Sequence, residues 1–317
     1  MNRKPLGNTG IDVSEISFGC VEIGLPYGLG VTGEADVPRE DEAVDLLRTA
    51  LDHGMNFFDT ARAYGRSEEI LGKAFAGRRD EVVITTKSNH FPKPFNTYSS
   101  AEIRRHIRES LETSLQMLRT DYVDLFMLHN GTLGNIEHPD ILATFDECKT
   151  KGLARSIGVS TYTPAETQKT IETNFWNVIQ LPYHLMDQRQ GECFKRAKQK
   201  GVGLVIRSVL FRGFLTDRAK KLHPELKRIQ DHRAKYDPIL AETKLSLAEL
   251  AMSFVLSQPE VSSVLVGIDR MEYLRTALAR AGNAYLNGDV LARLKTLSFP
   301  EPEWIDLQAW DRNGWLT

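Results

Sequence analysis

The chain has little cysteine, no long apolar run and no block of charge of one sign. Its three cysteines among 317 residues, Cys20, Cys148 and Cys193, are odd in number, far apart and without a Cys-x-x-Cys pair. That excludes a disulfide framework and leads us to expect reduced thiols in a cytoplasmic protein. On that expectation the Asn130-Gly131-Thr132 sequon goes unglycosylated. No apolar stretch is long enough to cross a bilayer. The polar start, MNRKPLGNTG, lacks the apolar core that a secretory signal needs. Lys plus Arg number 40 against 42 Asp plus Glu, a net charge of −2 with no basic or acidic tract. That balance argues against a nucleic-acid or membrane partner, and no basic helix is interleaved with aromatics. Metal-site spacing is missing too: the eight histidines include no H-E-x-x-H and pair with no cysteine cluster, so no metal is expected. Gly72-Lys73-Ala74 lacks the rest of a Walker loop.

What is present is ordinary globular composition, 41% apolar with 23 glycines, in a chain long enough for a substantial core. Short apolar runs alternate with longer stretches of helical period. Strands are predicted at Ile16–Cys20, Asn56–Asp59, Val82–Lys87, Asp124–His129, Arg155–Val159, Val178–Leu181, Gly203–Arg207 and Ser262–Val266. Runs such as Val82-Val83-Ile84 and Leu125-Phe126-Met127-Leu128 are apolar without alternation, as in a parallel sheet covered on both faces. Between the strands lie helix-start signals. Thr163-Pro164-Ala165-Glu166 reads as a capping box with Pro in the first turn, and Ser99–Glu102, Ser246–Glu249 and Asp269–Glu272 repeat its spacing. Eight strand–helix units without a linker predict an α/β chain, one (β/α)8 TIM barrel spanning 1–317. A hairpin up to about Val13, turning at Asn8-Thr9-Gly10, is expected to plug the barrel base. Two insertions, Val21–Glu40 and Ser208–Lys244, exceed normal loop length and follow the first and seventh barrel strands, where binding surfaces usually lie.

Gly28-Leu29-Gly30-Val31-Thr32-Gly33 formally matches G-x-G-x-x-G. The dinucleotide fingerprint, however, joins a strand directly to a helix whose N-terminus holds the pyrophosphate. Here Glu34, Asp36 and Pro38 separate the match from any helix, so a flexible lid is the better reading.

Asp59, Lys87 and His129 end consecutive predicted strands, and Tyr64 follows Asp59 in the carboxyl-side loop. Each has a plainer reading alone: a cap, a solvated strand end, a structural histidine. In a barrel, all four face one mouth, and together they suit carbonyl chemistry. A free tyrosine, with a pKa near 10, is a poor proton donor at neutral pH. A nearby Lys87 ammonium is expected to lower that value, with Asp59 holding the lysine charged and His129 hydrogen-bonding the carbonyl oxygen.

At this point the sequence resembles the aldo-keto reductase family. The match Asp59-Thr60-Ala61-x-x-Tyr64-Gly65-x-Ser67-Glu68-x-x-Leu71-Gly72 fixes nine of fourteen positions, and the similarity runs from Leu6-Gly7-Asn8-Thr9-Gly10 to about Leu278. The resemblance implies that Asp59, Tyr64, Lys87 and His129 are the catalytic tetrad. It implies hydride transfer between a nicotinamide dinucleotide and a carbonyl or alcohol, with Tyr64 as general acid and no metal.

Cofactor positions also follow from the resemblance. Gly158-Val159-Ser160-Thr161-Tyr162 is similar to the family's G-V-S-N-[FY], with Thr161 where Asn is usual. Ser160 and Gln180 would hold the nicotinamide amide. Nearby, Tyr183 fits a Q-x-x-Y pattern for which a packing role is equally open. Arg207 replaces the aromatic that stacks on nicotinamide; stacking by its planar guanidinium and a surface salt bridge both remain open. Ser208 and Leu210 would offer backbone N–H groups to the pyrophosphate, with Gly213 closing that segment. Gly267 to Tyr273 corresponds to the adenosine-phosphate loop. There Tyr273, Thr276 and Ala277 depart from the pattern of strict NADPH users, which leaves Arg270 as the expected partner of a 2′-phosphate. NADP(H) is therefore favoured, with NAD(H) as the alternative.

For substrate, Glu22, His90, Asn130, Phe211 and Trp310 are expected around the mouth. Glu22 favours sugars, polyols or hydroxyaldehydes over keto acids, although it could equally face solvent. Trp304, Trp310 and Trp315 could cover the site or pack elsewhere. The expected partner is a small carbonyl or sugar, and the oligomeric state is left open. A different class also exists among relatives, regulatory subunits such as the potassium-channel beta subunits. The intact tetrad and the absence of a long N-terminal extension favour an enzyme.

Overall fold

The computed structural model describes residues 1–31, 33–219, 222–282 and 285–315. Thr32 of the glycine-rich segment, and Lys220 and Lys221 of the second insertion, lie outside the described residues. Strands β1 (Arg3–Pro5) and β2 (Asp12–Ser14) pair antiparallel as the predicted hairpin. Eight more strands follow: β3 (Ile16–Gly19), β4 (Phe57–Asp59), β5 (Val83–Lys87), β6 (Val123–Leu128), β7 (Ala154–Ser160), β8 (Val178–Pro182), β9 (Gly203–Arg207) and β10 (Ser263–Gly267). They close a parallel barrel in the order β10-β3-β4-β5-β6-β7-β8-β9, with helices between them. This is the expected (β/α)8 architecture, and each strand boundary falls within one residue of its predicted place.

Side chains alternate across a strand, and here that alternation sorts the core. A small cluster fills the barrel interior: Phe57, Val83, Leu125, Met127, Val178 and Val205 from the strands, with Leu6, Ile11 and Val13 from the hairpin beneath. The larger cluster lies between barrel and helices. The hairpin thus plugs the base, and its turn needs glycine. Gly7 has φ +57, and a Cβ there would stand 2.3 Å from the Gly203 nitrogen.

Side-chain oxygens of Ser99, Thr163 and Ser246 each accept the backbone N–H three residues on, completing three of the predicted capping boxes. Asp269 does not. The helix Met271–Ala279 starts from Arg270 without a side-chain cap, because the Asp269 carboxylate pairs with Arg218 instead. In Ser100–Leu118 the apolar stripe Ile103, Ile107, Leu111 and Leu118 is buried as its period requires.

The two insertions meet over the carboxyl end of the barrel. Leu29 N–H donates to the Arg212 carbonyl at 2.9 Å, and the Arg212 guanidinium lies 4.3 Å from the Tyr27 ring centre. The glycine-rich segment leads from β3 into a short helical turn at Glu34–Asp36, not into a pyrophosphate-binding helix. No helix among the described residues is long and apolar enough to cross a membrane.

Candidate active site

The inward parity of the strands builds the site. Counting in twos from the interior residues Phe57, Val83, Met127, Val178 and Val205 reaches Asp59, Lys87, His129, Gln180 and Arg207 at the open end. The apolar floor and the polar mouth are two ends of the same alternation. A cavity of about 860 Å³ opens there, lined by Asp59, Tyr64, His90 and His129 and extending past Gly267 to Tyr273 and Thr276.

Lys87 is fully buried and donates to Asp59 Oδ1 at 2.5 Å, to the Thr60 carbonyl at 3.0 Å and to Tyr64 Oη at 3.4 Å. Asp59 Oδ2 accepts from Gln180 Nε2 at 2.7 Å. The His129 ring lies edge-on to Tyr64 at 5.5 Å and stacks on His90 at 4.2 Å. All four residues predicted to converge do so.

The electrostatics correct one expectation. Burial, and then the Asp59 charge, hold the Tyr64 phenol well above its ordinary value, where Lys87 was expected to lower it. The ammonium is committed to Asp59, and desolvation disfavours a phenolate more than the lysine favours it. Burial lowers Lys87 itself, with Asp59 opposing the shift. His129 is pushed well below its usual value by burial and by Lys87, so its imidazole is neutral. His129 Nδ1 is buried without a hydrogen-bond partner among the described residues.

Of the predicted cofactor residues, Ser160, Gln180, Arg207, Ser208, Leu210, Gly213, Gly267 and Tyr273 line the cavity. Gln180 gives one Nε2–H to Asp59, which leaves its carbonyl oxygen and its second N–H for an amide. Arg207 makes no carboxylate contact among the described residues. It donates to the Thr161 carbonyl at 3.0 Å and lies 4.3 Å from the Tyr162 ring centre, which removes the salt-bridge alternative. Thr161 does not line the cavity: its hydroxyl pairs with Thr167 Oγ1 at 2.7 Å, inside the protein. Arg270 is also outside, exposed beside Asp269. A lining cation at that end is Arg218, which pairs with Asp269 and donates to Tyr273 Oη at 3.3 Å.

The substrate expectations divide. Glu22 and His90 line the cavity. Asn130 is exposed and holds Asn135 through its carbonyl. Phe211 and Trp310 are fully buried against each other, ring centres 4.8 Å apart, and Trp310 Nε1 donates to the Trp304 carbonyl at 2.7 Å. Trp310 packs against Phe211 and Phe214 of the second insertion, and neither Phe211 nor Trp310 lines the cavity. Tyr183 packs on Phe254 and Phe194. The sequence reading missed Tyr27, Arg212, Arg218 and Arg233, all on the insertions; only the anomalous length of those loops pointed toward them.

The segment after β9 turns tightly: Ser208, Phe211, Arg212 and Gly213 all have positive φ, between 48° and 93°. The N–H groups of Phe211 and Gly213 donate to the Ser208 and Leu210 carbonyls, so the attraction for an anion comes from its arginines. Arg207 Nε and Arg212 Nε are buried and unpartnered beside it. These residues fit the diphosphate of a dinucleotide. Among the described residues no cluster of His, Cys, Asp and Glu could hold a metal.

Residues 17–298 match the model of the Aldo/keto reductase family. The chain belongs to that family. It is therefore an NAD(P)H-dependent oxidoreductase, of a family whose members act on carbonyl compounds and sugars. Among its relatives is the uncharacterized oxidoreductase YqkF of Bacillus subtilis (strain 168), 27% identical over 311 residues, covering 93% of this chain and 96% of the relative. The L-galactose dehydrogenase of Arabidopsis thaliana is 28% identical over 295 residues, covering 87% and 86%. Among solved structures, the holo form of aldo-keto reductase AKR11C1 from Bacillus halodurans superposes with a TM-score of 0.75 at 26% identity, covering 94% of this chain and 96% of that one.

Proposed function

We propose that this cavity transfers hydride between a nicotinamide dinucleotide and a small carbonyl compound or sugar, with Tyr64 as general acid. The observation that carries the reading is the buried contact of Lys87 with Asp59 and Tyr64, set beside a neutral His129 at the mouth. When bound, the dinucleotide supplies or accepts the hydride. Ser160, Gln180 and the Arg207 guanidinium would hold its nicotinamide end, and the 208–213 segment its diphosphate.

Tyr64 keeps its proton in the resting site because its phenol is pushed upward. It yields that proton only as the substrate oxygen becomes an alkoxide, a far stronger base than a phenolate. The phenolate so formed faces the Lys87 ammonium at 3.4 Å, and Asp59 keeps that ammonium charged. His129, neutral and short of a partner at Nδ1, gives one N–H to orient the carbonyl oxygen.

Arg270 stands outside the cavity lining, exposed beside Asp269 and 5.2 Å from the Tyr273 ring centre, so a second cation, Arg218, joins it as a candidate for the 2′-phosphate. Arg218 fills that role provided it exchanges Asp269 for the phosphate. NAD(H) needs no exchange, because Asp269 then accepts from ribose hydroxyls. Use of NAD(H) alongside NADP(H) is the reading that the pair supports. The name of the Arabidopsis relative agrees with a sugar or hydroxyaldehyde as the second substrate.

The test is parallel consumption of NADPH and NADH with a reactive aromatic aldehyde. Turnover with either supports the reading. Tight binding of both dinucleotides without consumption across a panel of aldehydes and sugars would overturn it in favour of a regulatory subunit.

A further inference from the structure

Glu22 was expected near the substrate, and it lines the cavity beside groups of the dinucleotide end as well. The side chain leaves the end of β3 and lies against Gly267, the last residue of β10: a Cβ on that glycine would stand 1.9 Å from Glu22 Oε1. Only glycine leaves room for the carboxyl there. Glu22 Oε2 is buried and has no hydrogen-bond partner among the described residues, although the residue lines the cavity.

The charged groups that act on Glu22 belong to the dinucleotide end. They are Asp269 after β10, which opposes its ionisation, and Arg218 and Arg212 of the second insertion, which favour it. Both arginines already have carboxylate partners, Asp269 and Asp311. Tyr27 and Cys20, from its own loop and strand, also feel its charge, and both are pushed upward by burial. Burial is the largest influence on Glu22 itself and moves its carboxyl up to about 8. The Glu22 backbone N–H opposes that shift; at neutral pH the carboxyl is mostly protonated, with Oε2 unpartnered among the described residues.

A buried donor without an acceptor costs free energy unless a ligand satisfies it. We propose that Glu22 is a positioning residue of the diphosphate subsite: its protonated carboxyl donates to a phosphate oxygen of the dinucleotide, and its carboxylate form expels that phosphate. The inference rests on the dinucleotide reading above. It makes cofactor affinity proton-linked, strong at neutral pH and falling in mild alkali.

The experiment is the Kd of NADH from pH 6.5 to 9.5, by quenching of protein fluorescence, for the wild-type protein and Glu22→Gln. NADH carries no phosphate that titrates in this window. Wild-type Kd should be flat below about pH 7.5 and rise about tenfold per pH unit above about pH 8, as linkage to one proton requires. Glu22→Gln keeps an N–H donor and cannot ionise, so its Kd should stay flat and within a few-fold of the neutral wild-type value. Calorimetry at pH 8.5 in buffers of different ionisation enthalpy should show proton uptake on binding by the wild type and none by the variant. A flat wild-type profile would overturn the proposal. So would an alkaline rise kept by Glu22→Gln, which would assign the linkage to another group such as Lys87. If neither NADH nor NADPH binds either protein at any pH, the dinucleotide reading itself fails.

Discussion

Replacing Asp59 by Asn should cost about 3–5 kcal/mol of stability, because it leaves the fully buried Lys87 without a counter-charge. Lys87 has only three other means of support: the Thr60 carbonyl at 3.0 Å, Tyr64 Oη at 3.4 Å and whatever the new amide oxygen offers. If that oxygen turns to Lys87, the amide nitrogen faces Gln180 Nε2, a second donor where Asp59 Oδ2 accepted at 2.7 Å. At about 2.1 cal/mol/K per residue, 317 residues give roughly 0.7 kcal/mol/K, so Tm should fall by roughly 4–8 °C. Lys87→Met should cost a similar amount, by leaving Asp59 buried and unpaired. The double variant removes both charges and should cost clearly less than the sum, which gives a coupling of 1 kcal/mol or more, on the order expected for contacting groups. Urea unfolding of the four proteins at pH 7 measures this. Single variants within about 1 kcal/mol of wild type, or strict additivity, would refute the idea of a charged pair sealed in the barrel mouth.

Three further outcomes follow from the same geometry. Gly7→Ala should destabilise by at least about 2 kcal/mol, since the new Cβ meets the Gly203 nitrogen at 2.3 Å from a left-handed backbone; wild-type urea stability would remove the close-packed plug. His184 is buried, accepts from the Met186 and Asp187 N–H groups through Nδ1, and is lowered by burial to about 4, below its unfolded value near 6.5. Its stabilisation is complete above pH 6.5 and is lost as pH falls toward 4, up to about 3 kcal/mol; His184→Asn should flatten the acid side of the stability curve, and an unchanged slope would contradict the assignment. Arg218→Ala should weaken NADPH binding more than NADH binding if that guanidinium takes the 2′-phosphate, as a charge-assisted contact would; equal losses measured as Kd would mean that it only braces Asp269 and Tyr273.

The barrel was legible because its strands are bare apolar runs such as Leu125-Phe126-Met127-Leu128, and an apolar run between helical stretches has few other uses. Asp59, Lys87 and His129 were legible because strand ends in a barrel share one mouth. What escaped was decided by contacts between distant segments. Asp269 has capping spacing, yet Arg218, 51 residues earlier in the chain, takes its carboxylate. Trp310 could have covered the site or packed elsewhere, and it packs against Phe211 and Phe214, because an indole of that size is worth more buried. Arg212 and Arg218 lie on an insertion without period, where length alone marks a function. The direction of the Tyr64 shift depends on how deeply the ring is sealed, which no spacing in the sequence encodes.

The central claim is that the Tyr64 hydroxyl delivers the proton, and Tyr64→Phe tests it most directly. The substitution keeps the ring beside Lys87 and His129, and Lys87 retains Asp59 at 2.5 Å. Reduction of an aldehyde by this variant, followed at saturating dinucleotide, should be slower by about 10²–10⁴-fold. Its Kd for the dinucleotide should remain within about twofold of wild type. A turnover rate within a few-fold of wild type would contradict the account and move the proton donor to another group in the cavity, His90 or His129.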